Sequence, residues 1–260
     1  MKRLRVVLGA LACGVCATYT AAQGDAAIEV GGFSREASGG LPAMWKPLTF
    51  PKIPRHTSYA LVPDSGRVVV RAEAKASASG LATDVHIDPR EYPIVRWRWK
   101  IANLVERADL TRKDGDDYPA RLYINFRGKQ KELSFLDKVE IAVYRRLYGR
   151  DPPTAAINYI WDGKAAVGTI APNAYSDRVR MIVVQSGSEA LGRWVDEERN
   201  LFEDYRAAFG DDPPPIVSVA IMTDTDNTGE TTVAWYGDIT FHKTAAKRAA
   251  ANPSLHSGVR

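Results

Sequence analysis

The stretch that decides the fold is VSVAIMTDTDNTGETTVAWYGDITF, which covers residues 217 to 241. Its first part, Val217 to Met222, is a short apolar run with the length of a buried β-strand. A loop rich in side-chain oxygens follows and turns at Gly229, and the run from Thr231 to Phe241 then leads away. The stretch therefore predicts a strand, an acidic loop and a second strand, with the rest of the chain as its scaffold.

Alternation of apolar and polar residues recurs in other segments, and a period of two indicates half-buried strands. Ile94 to Ile101 and Arg121 to Arg127 follow this pattern most clearly. We assign to the core Val95, Trp97, Trp99, Ile101, Leu122, Ile124, Phe126, Val233, Trp235, Ile239 and Phe241. We assign to outward faces Arg96, Arg98, Lys100, Arg121, Tyr123, Asn125, Arg127, Tyr236 and Asp238.

Two segments interrupt the strands with helical spacing of apolar residues, at about 135–148 and 193–209. Each ends at a glycine, and prolines follow shortly after. About ten short strands and only two helices predict an all-β (β-rich α+β) fold, a jelly-roll-like antiparallel β-sandwich with two inserted helices.

The two ends of the chain carry its excess of positive charge, because the residues between them are net negative. Residues 1–22 have a basic start, an apolar run and small residues at Thr20 to Ala22, which predicts a cleaved signal peptide; a lipoprotein signal ending at Cys13 is the alternative. We expect a single β-sandwich domain over 23–243, a disordered basic tail over 244–260, and a periplasmic or secreted protein.

Removal of the signal peptide changes which chemistry is available. Both cysteines, Cys13 and Cys16, lie in that segment, so the remaining chain has no thiol nucleophile, disulfide or cysteine metal site. We also expect that no transmembrane anchor remains once the signal peptide is removed. Because the net positive charge comes from the two ends, the sequence pI of about 9.0 is no indication of a nucleic-acid partner.

Six phrases in a fixed order carry a resemblance to a known family. They are Thr57-Ser58-Tyr59, Trp97-Arg98-Trp99-Lys100, Gly115-Asp116-Asp117-Tyr118 with Arg121, Asn158-Tyr159-Ile160-Trp161, Gly192-x-Trp194 with Glu198-Arg199-Asn200 and Asp204-Tyr205, and Asp224-Thr225-Asp226-Asn227-Thr228-Gly229 with Tyr236-Gly237-Asp238-Ile239. The chain resembles the bacterial exported proteins grouped as domain of unknown function 3047, which implies no activity. Ala234 to Phe241 is also similar to the last strand of jelly-roll carbohydrate-binding modules.

The acidic loop is the candidate metal site. Asp224, Asp226, Asn227 and Thr228 offer the oxygen ligands that calcium prefers, and Gly229 gives a sharp turn. The twelfth position is Trp235 and not glutamate, which excludes a helix–loop–helix calcium site. The alternative is a turn whose Asp and Asn side chains accept hydrogen bonds from the backbone.

The candidate ligand site combines two sets of residues. Cations and aromatic residues on outward strand faces would form one wall if the strands are neighbours, and arginine forks suit anionic groups. The set is Arg96, Arg98, Asp116, Asp117, Arg121, Tyr123, Tyr236 and Asp238. The alternatives are an ordinary solvated face with weak surface ion pairs and acids that only cap a hairpin.

Three functions stay open at this level. The first is an exported β-sandwich that binds a carbohydrate, an anionic glycan or another anionic small molecule. The second is a carbohydrate-active enzyme that pairs Asp116 or Asp117 with Asp224 or Asp226 across a cleft. The third is a structural or interaction protein of the cell envelope. Nucleophilic catalysis finds no support, because the chain has no Gly-x-Ser-x-Gly elbow and its four histidines are scattered.

Overall fold

The computed structural model describes residues 27–128 and 153–245. Within these ranges the strands are β1 (Ile28–Gly31), β2 (Lys46–Leu48), β3 (Ser58–Asp64), β4 (Arg67–Lys75), β5 (Ala78–Ile87), β6 (Ile94–Ile101), β7 (Arg121–Phe126), β8 (Ala155–Asp162), β9 (Ile170–Asn173), β10 (Ser176–Ser186), β11 (Val195–Asn200), β12 (Ile216–Asp224), β13 (Thr231–Tyr236) and β14 (Ile239–His242). The helices are α1 (Leu201–Phe209) and two short 3-10 turns, Phe33–Arg35 and Lys113–Gly115.

The strands form two seven-stranded sheets, which we call the β6 sheet and the β12 sheet. The β6 sheet has the order β1-β14-β6-β13-β4-β3, with β11 also paired to β6. The β12 sheet has the order β2-β5-β12-β7-β8-β10-β9. Among the described strands, all pairs are antiparallel except β8 with β10, which run parallel. The predicted jelly-roll-like β-sandwich is confirmed, with this one parallel pair as a departure.

The core lies between the two sheets and is rich in aromatic rings. Trp97 of β6 stacks on Tyr159 of β8 with 5.2 Å between ring centroids. Trp99 lies 6.2 Å from Trp161, and both are fully buried. The inward assignment of Trp97 and Trp99 from alternation is therefore confirmed, and these rings join the sheets without any disulfide.

The predicted faces of β13 are wrong. Ala234 and Tyr236 are buried, whereas Val233 and Trp235 are partly exposed on the other face. Ile239 and Phe241 of β14 are buried as predicted. Gly237 and Asp238 lie between the two strands and shift the alternation of inward and outward side chains by one position. The alternation of β14, when it is extended back into β13, therefore assigns every β13 side chain to the wrong face.

The predicted helix at 193–209 is half wrong. Its first part is strand β11, which pairs with β6, and the helix begins only at Leu201. Asn200 caps it by accepting a hydrogen bond from the Glu203 backbone N–H at 3.2 Å. The end at Gly210, with φ of +80°, is as predicted.

Several predictions fall outside the described residues. They are the helix at 135–148, the signal peptide and nearly all of the basic tail. In the two described ranges, no helix has the length and apolar character needed to cross a membrane.

Candidate functional site

The β12 sheet carries a cleft of about 780 Å³ on the face that is turned away from the core. Along β12, Val219 and Ile221 point into the core, while Met222 and Asp224 alternate with them and line the cleft. The described residues that line the cleft are Phe50, Pro51, Lys52, Ile53, Ala78, Asp116, Arg121, Tyr123, Asn173, Tyr175, Val179, Met222, Asp224, Asp226 and Asn227.

Small residues on β5 make room for the cleft. Ala78 lies opposite Asp224 and Gly80 opposite Met222 in the antiparallel ladder, so they share the outward face of β12. A Cβ atom on Gly80 would lie only 2.8 Å from the Ile221 carbonyl oxygen, closer than van der Waals contact allows. Glycine here lets β5 and β12 pair closely.

Arg121 of β7 is buried at the end of this cleft and uses all its N–H groups within the protein. Its Nε donates to Asp224 Oδ1 at 2.8 Å and its Nη2 to Asp224 Oδ2. Its Nη1 donates to Asp116 Oδ1 at 3.1 Å and lies 3.3 Å from the Tyr123 hydroxyl. The Nη2 also reaches the Asp116 carbonyl, and the guanidinium lies over the Tyr118 ring at 4.5 Å.

The prediction that Arg121 faces solvent is therefore wrong. Its side chain has about 2% of its surface exposed, because the segment that carries Tyr118 covers this part of the β12 sheet. Tyr118, Ile160 and Met181 form a second apolar cluster on the outer face. Where loops cover the polar face of a sheet, its side chains are buried, and a buried arginine needs carboxylate partners.

Asp117 holds the acidic loop in place. Its Oδ1 accepts from the Asn227 side-chain amide at 3.0 Å and backbone N–H at 3.3 Å, and its Oδ2 accepts from the Thr228 backbone N–H at 2.6 Å. The turn closes where the Gly229 N–H donates to the Thr225 carbonyl at 2.8 Å. Asn227 and Thr228 thus act as donors to a carboxylate.

Three carboxylates meet at this point. Oxygen atoms of Asp117, Asp224 and Asp226 all lie within 4.8 Å of one another, so the group could hold a metal ion. Burial raises the pKa of Asp226, and the neighbouring charge of Asp117 adds to the effect. Burial also raises the pKa of the Asp224 carboxyl, which the Arg121 guanidinium opposes.

Two cleft residues, Asn173 and Tyr175, carry no signal in the sequence. Asn173 donates from Nδ2 to Asp116 Oδ2 at 2.9 Å. The Tyr175 hydroxyl lies 2.8 Å from Asn227 Oδ1 and 3.0 Å from the Lys113 carbonyl oxygen, and 57% of the residue is exposed. Asn173 is the last residue of β9 and Tyr175 lies in the turn to β10, and only the fold brings them to the acidic loop.

The remaining predicted residues lie elsewhere. Arg96 and Arg98 are on the outward face of the β6 sheet, where Arg96 pairs with Glu198 at 2.6 Å and Arg98 lies 4.4 Å from the Trp194 ring. Asp238 accepts from the Ser34 backbone N–H at 2.8 Å in the same region. These side chains do not form one wall with Arg121, because β6 and β7 belong to different sheets.

Tyr236 lies between the sheets and not on a surface. Its hydroxyl donates to the Met222 carbonyl at 2.6 Å and accepts from the Arg121 backbone N–H at 3.3 Å. It also lies 2.8 Å from the Thr223 hydroxyl. Tyr236 therefore connects β13 to the strands that carry the cleft, and its outward assignment is wrong.

Fold and cleft define a jelly-roll-like β-sandwich with an open groove on one sheet. The chain belongs to the family DUF3047, described as "Protein of unknown function (DUF3047)", whose model matches residues 43–240. A search of curated proteins finds no sequence match.

Distant likenesses to solved structures concern carbohydrate-related proteins. A family 29 carbohydrate-binding module is 11% identical, with 84% of this chain and 87% of that chain covered and a TM-score of 0.34. The Emp47p carbohydrate recognition domain is 9% identical, with 82% and 94% covered and a TM-score of 0.38. Endoglucanase 3 of Trichoderma harzianum, from family GH12, is 6% identical, with 78% and 99% covered and a TM-score of 0.35. The strand pairing described above defines the fold independently of these likenesses.

Proposed function

We propose that the protein binds a neutral, hydroxyl-rich ligand, a carbohydrate, in the cleft on the β12 sheet. The observation that carries this proposal is the gathering of polar groups at one end of an otherwise apolar cleft. These groups are Asp116, Asp226, Asn173, Asn227 and Tyr175. Carboxylates accept from hydroxyls, amides both accept and donate, and the exposed Tyr175 ring offers a flat apolar face.

The negative charge at the polar end of the cleft favours a neutral ligand over the anionic ligand that the arginines predicted. Arg121 donates to Asp224, Asp116 and Tyr123 and has no N–H group left for a ligand. Asp226 adds a further carboxylate in the cleft, with Lys52 as the other basic residue of the lining. An anionic ligand would place like charges together, which costs binding free energy.

Hydrogen bonding at the carboxylates favours binding over hydrolysis. Asp224 accepts from Arg121 through both oxygens, and Asp117 accepts three hydrogen bonds from the acidic loop. A general acid or base must gain or lose a proton in each turnover, and these two would first have to lose their donors. Asp116 is likewise held by Arg121 and Asn173.

Thermal melting with a panel of neutral and anionic oligosaccharides tests the proposal. A ligand that binds only the folded protein raises the melting temperature, so a neutral oligosaccharide should raise it and a sulfated or uronic one should not. Titration calorimetry on Tyr175→Ala should show at least tenfold weaker binding, equivalent to about 1.4 kcal/mol. Met44→Ala, at an exposed side chain outside the cleft lining, is the control. Binding of only anionic glycans, or unchanged affinity in Tyr175→Ala, contradicts the proposal.

Calcium binding is a second candidate, favoured by the closeness of Asp117, Asp224 and Asp226. This set replaces the predicted ligands Asn227 and Thr228 by Asp117. Arg121 already neutralises one of the three carboxylates, which weakens the case. We expect calcium to raise the melting temperature relative to EDTA, and Asp226→Asn to remove the shift while the exposed Asp211→Asn retains it. An equal shift in both variants places the ion elsewhere.

A further inference from the structure

We propose that the ligand is an amphiphile, whose carbohydrate head occupies the polar end of the cleft and whose aliphatic chain lies along the β12 sheet. The proposal rests on the proposed function for the head group alone. The aliphatic chain of the ligand is inferred from a different observation, the apolar extension of the cleft.

The cleft continues into a second cavity of about 340 Å³ on the same face. The two cavities share Phe50, Tyr123, Val179 and Met222, so they form one groove across the sheet. The second cavity is further lined by Leu48, Asn125, Pro153, Ala155, Ala156, Ser176, Arg178 and Ala220. No carboxylate is among these described lining residues, in contrast to the first cavity.

The floor of the extension fits an alkyl chain better than further sugar units. Ala220 and Ala156 are small, and Leu48, Met222 and Val179 are aliphatic. A sugar hydroxyl that lies against these five side chains loses its water without gaining a hydrogen bond, which costs free energy. A methylene group in the same place has no hydrogen bond to lose and gains free energy from leaving water.

Strand register gives the length of the groove floor along β12 and β7. Asn125 lies opposite Ser218, and Arg121 lies opposite Met222 on the same ladder. At about 3.3 Å per residue, the four steps from Ser218 to Met222 span roughly 13 Å. An extended chain advances about 1.2 Å per bond, so roughly ten carbons fit.

Charge at the polar end decides which head group the amphiphile carries. Asp116, Asp224 and Asp226 lie there, and the buried guanidinium of Arg121 is already paired with two of them. A fatty acid, alkyl sulfate or alkyl phosphate would bring a second negative charge to these carboxylates. We therefore expect an uncharged, hydroxyl-bearing head.

Titration calorimetry with hexyl, octyl and decyl glucoside, each below its micelle concentration, tests the chain. We expect the affinity to rise with each added methylene up to about ten carbons, by at most roughly fourfold per methylene, which is the value for full burial. Octyl sulfate, with the same chain and an anionic head, should bind more weakly than octyl glucoside.

Ala220→Phe narrows the groove and should abolish the dependence on chain length, whereas Ala60→Phe, on the outward face of edge strand β3, should retain it. Ala156→Leu serves the same purpose if the first variant fails to fold, as judged by its melting curve. Affinity that is independent of chain length, while a free oligosaccharide still binds, overturns the amphiphile and leaves the carbohydrate proposal intact. Octyl sulfate binding as tightly as octyl glucoside overturns the neutral head, and absence of binding by every probe overturns both.

Discussion

Replacement of Arg121 by methionine is the sharpest test of how the cleft is held together. Methionine keeps much of the length and the apolar stem of arginine but removes its charge and every donor. In the protein, Arg121 connects Asp224 of β12 with Asp116 of the segment before β7. Both the arginine and Asp224 have less than 4% of their side chains exposed, so water cannot replace the lost contacts.

The expected loss follows from the carboxylate that stays behind. Removal of one partner from a buried ion pair leaves an uncompensated charge, which typically costs 3–5 kcal/mol. We therefore expect Arg121→Met to lower the free energy of unfolding by about 4 kcal/mol. The double variant Arg121→Met/Asp224→Asn has no such charge, so we expect it to be about 1–3 kcal/mol more stable than Arg121→Met alone.

Urea denaturation followed by tryptophan fluorescence measures these differences, and the chain has six tryptophans as probes. Arg71→Met is the matched control, because Arg71 pairs with Glu73 at 2.9 Å with 35% of its side chain exposed. Such a surface pair contributes at most about 1 kcal/mol. If Arg121→Met costs no more than Arg71→Met, or if the Asn substitution adds a further loss, Arg121 is not the buried partner of Asp224.

Three further predictions concern the stability effects of Tyr236, Glu197 and Gly80. Tyr236→Phe should lower the free energy of unfolding by about 1–3 kcal/mol, because the Met222 carbonyl and the Arg121 backbone N–H lose their hydrogen bonds to the Tyr236 hydroxyl. Urea denaturation measures this loss, and an unchanged midpoint would contradict the prediction. Burial raises the pKa of Glu197 from 4.5 to about 7. The folded state thus retains a proton that the unfolded state releases in this range, and stability should fall by about 3 kcal/mol as the pH rises from 4.5 to 7. Glu197→Gln should flatten that slope in denaturation curves measured across this range, and a slope equal to that of the wild type would refute the assignment. Gly80→Ala should cost about 1–3 kcal/mol, since its Cβ would meet the Ile221 carbonyl oxygen, whereas Gly163→Ala, with its nearest atom at 3.8 Å, should be close to neutral.

The strands were largely predictable because their signal is local. Alternation assigns Trp97 and Trp99 to the core, and both sheets are built from such segments. The errors occur where the information is not local. In β11 the acidic residues Asp196 and Glu198 suit a helix surface as well as a strand, and only pairing with Arg98 and Arg96 of β6 decides for the strand.

The candidate site was predictable in its parts but not in its assembly. Both acidic segments are visible in the sequence, yet the hydrogen bond from Thr228 to Asp117 joins residues 111 positions apart. Nothing in the sequence links Tyr175 to Asn227. Arg98 and Arg121 share the same pattern of alternation, but consecutive strands enter different sheets, and local periodicity contains no information on that choice.

The position of Arg121 explains why stability and binding should be coupled in this protein. On one side of it the outer face of the β12 sheet is covered by the cluster around Tyr118, and on the other side the same face is open as the cleft. The polar network at this border is buried, so the loss of any of its hydrogen bonds lowers stability. The same network also presents side chains to a ligand in the cleft. Asp116 does both, because one oxygen accepts from Arg121 and the other from Asn173 in the cleft wall. A variant that releases Asp116 from Arg121 should therefore weaken ligand binding even though Arg121 has no free donor for the ligand.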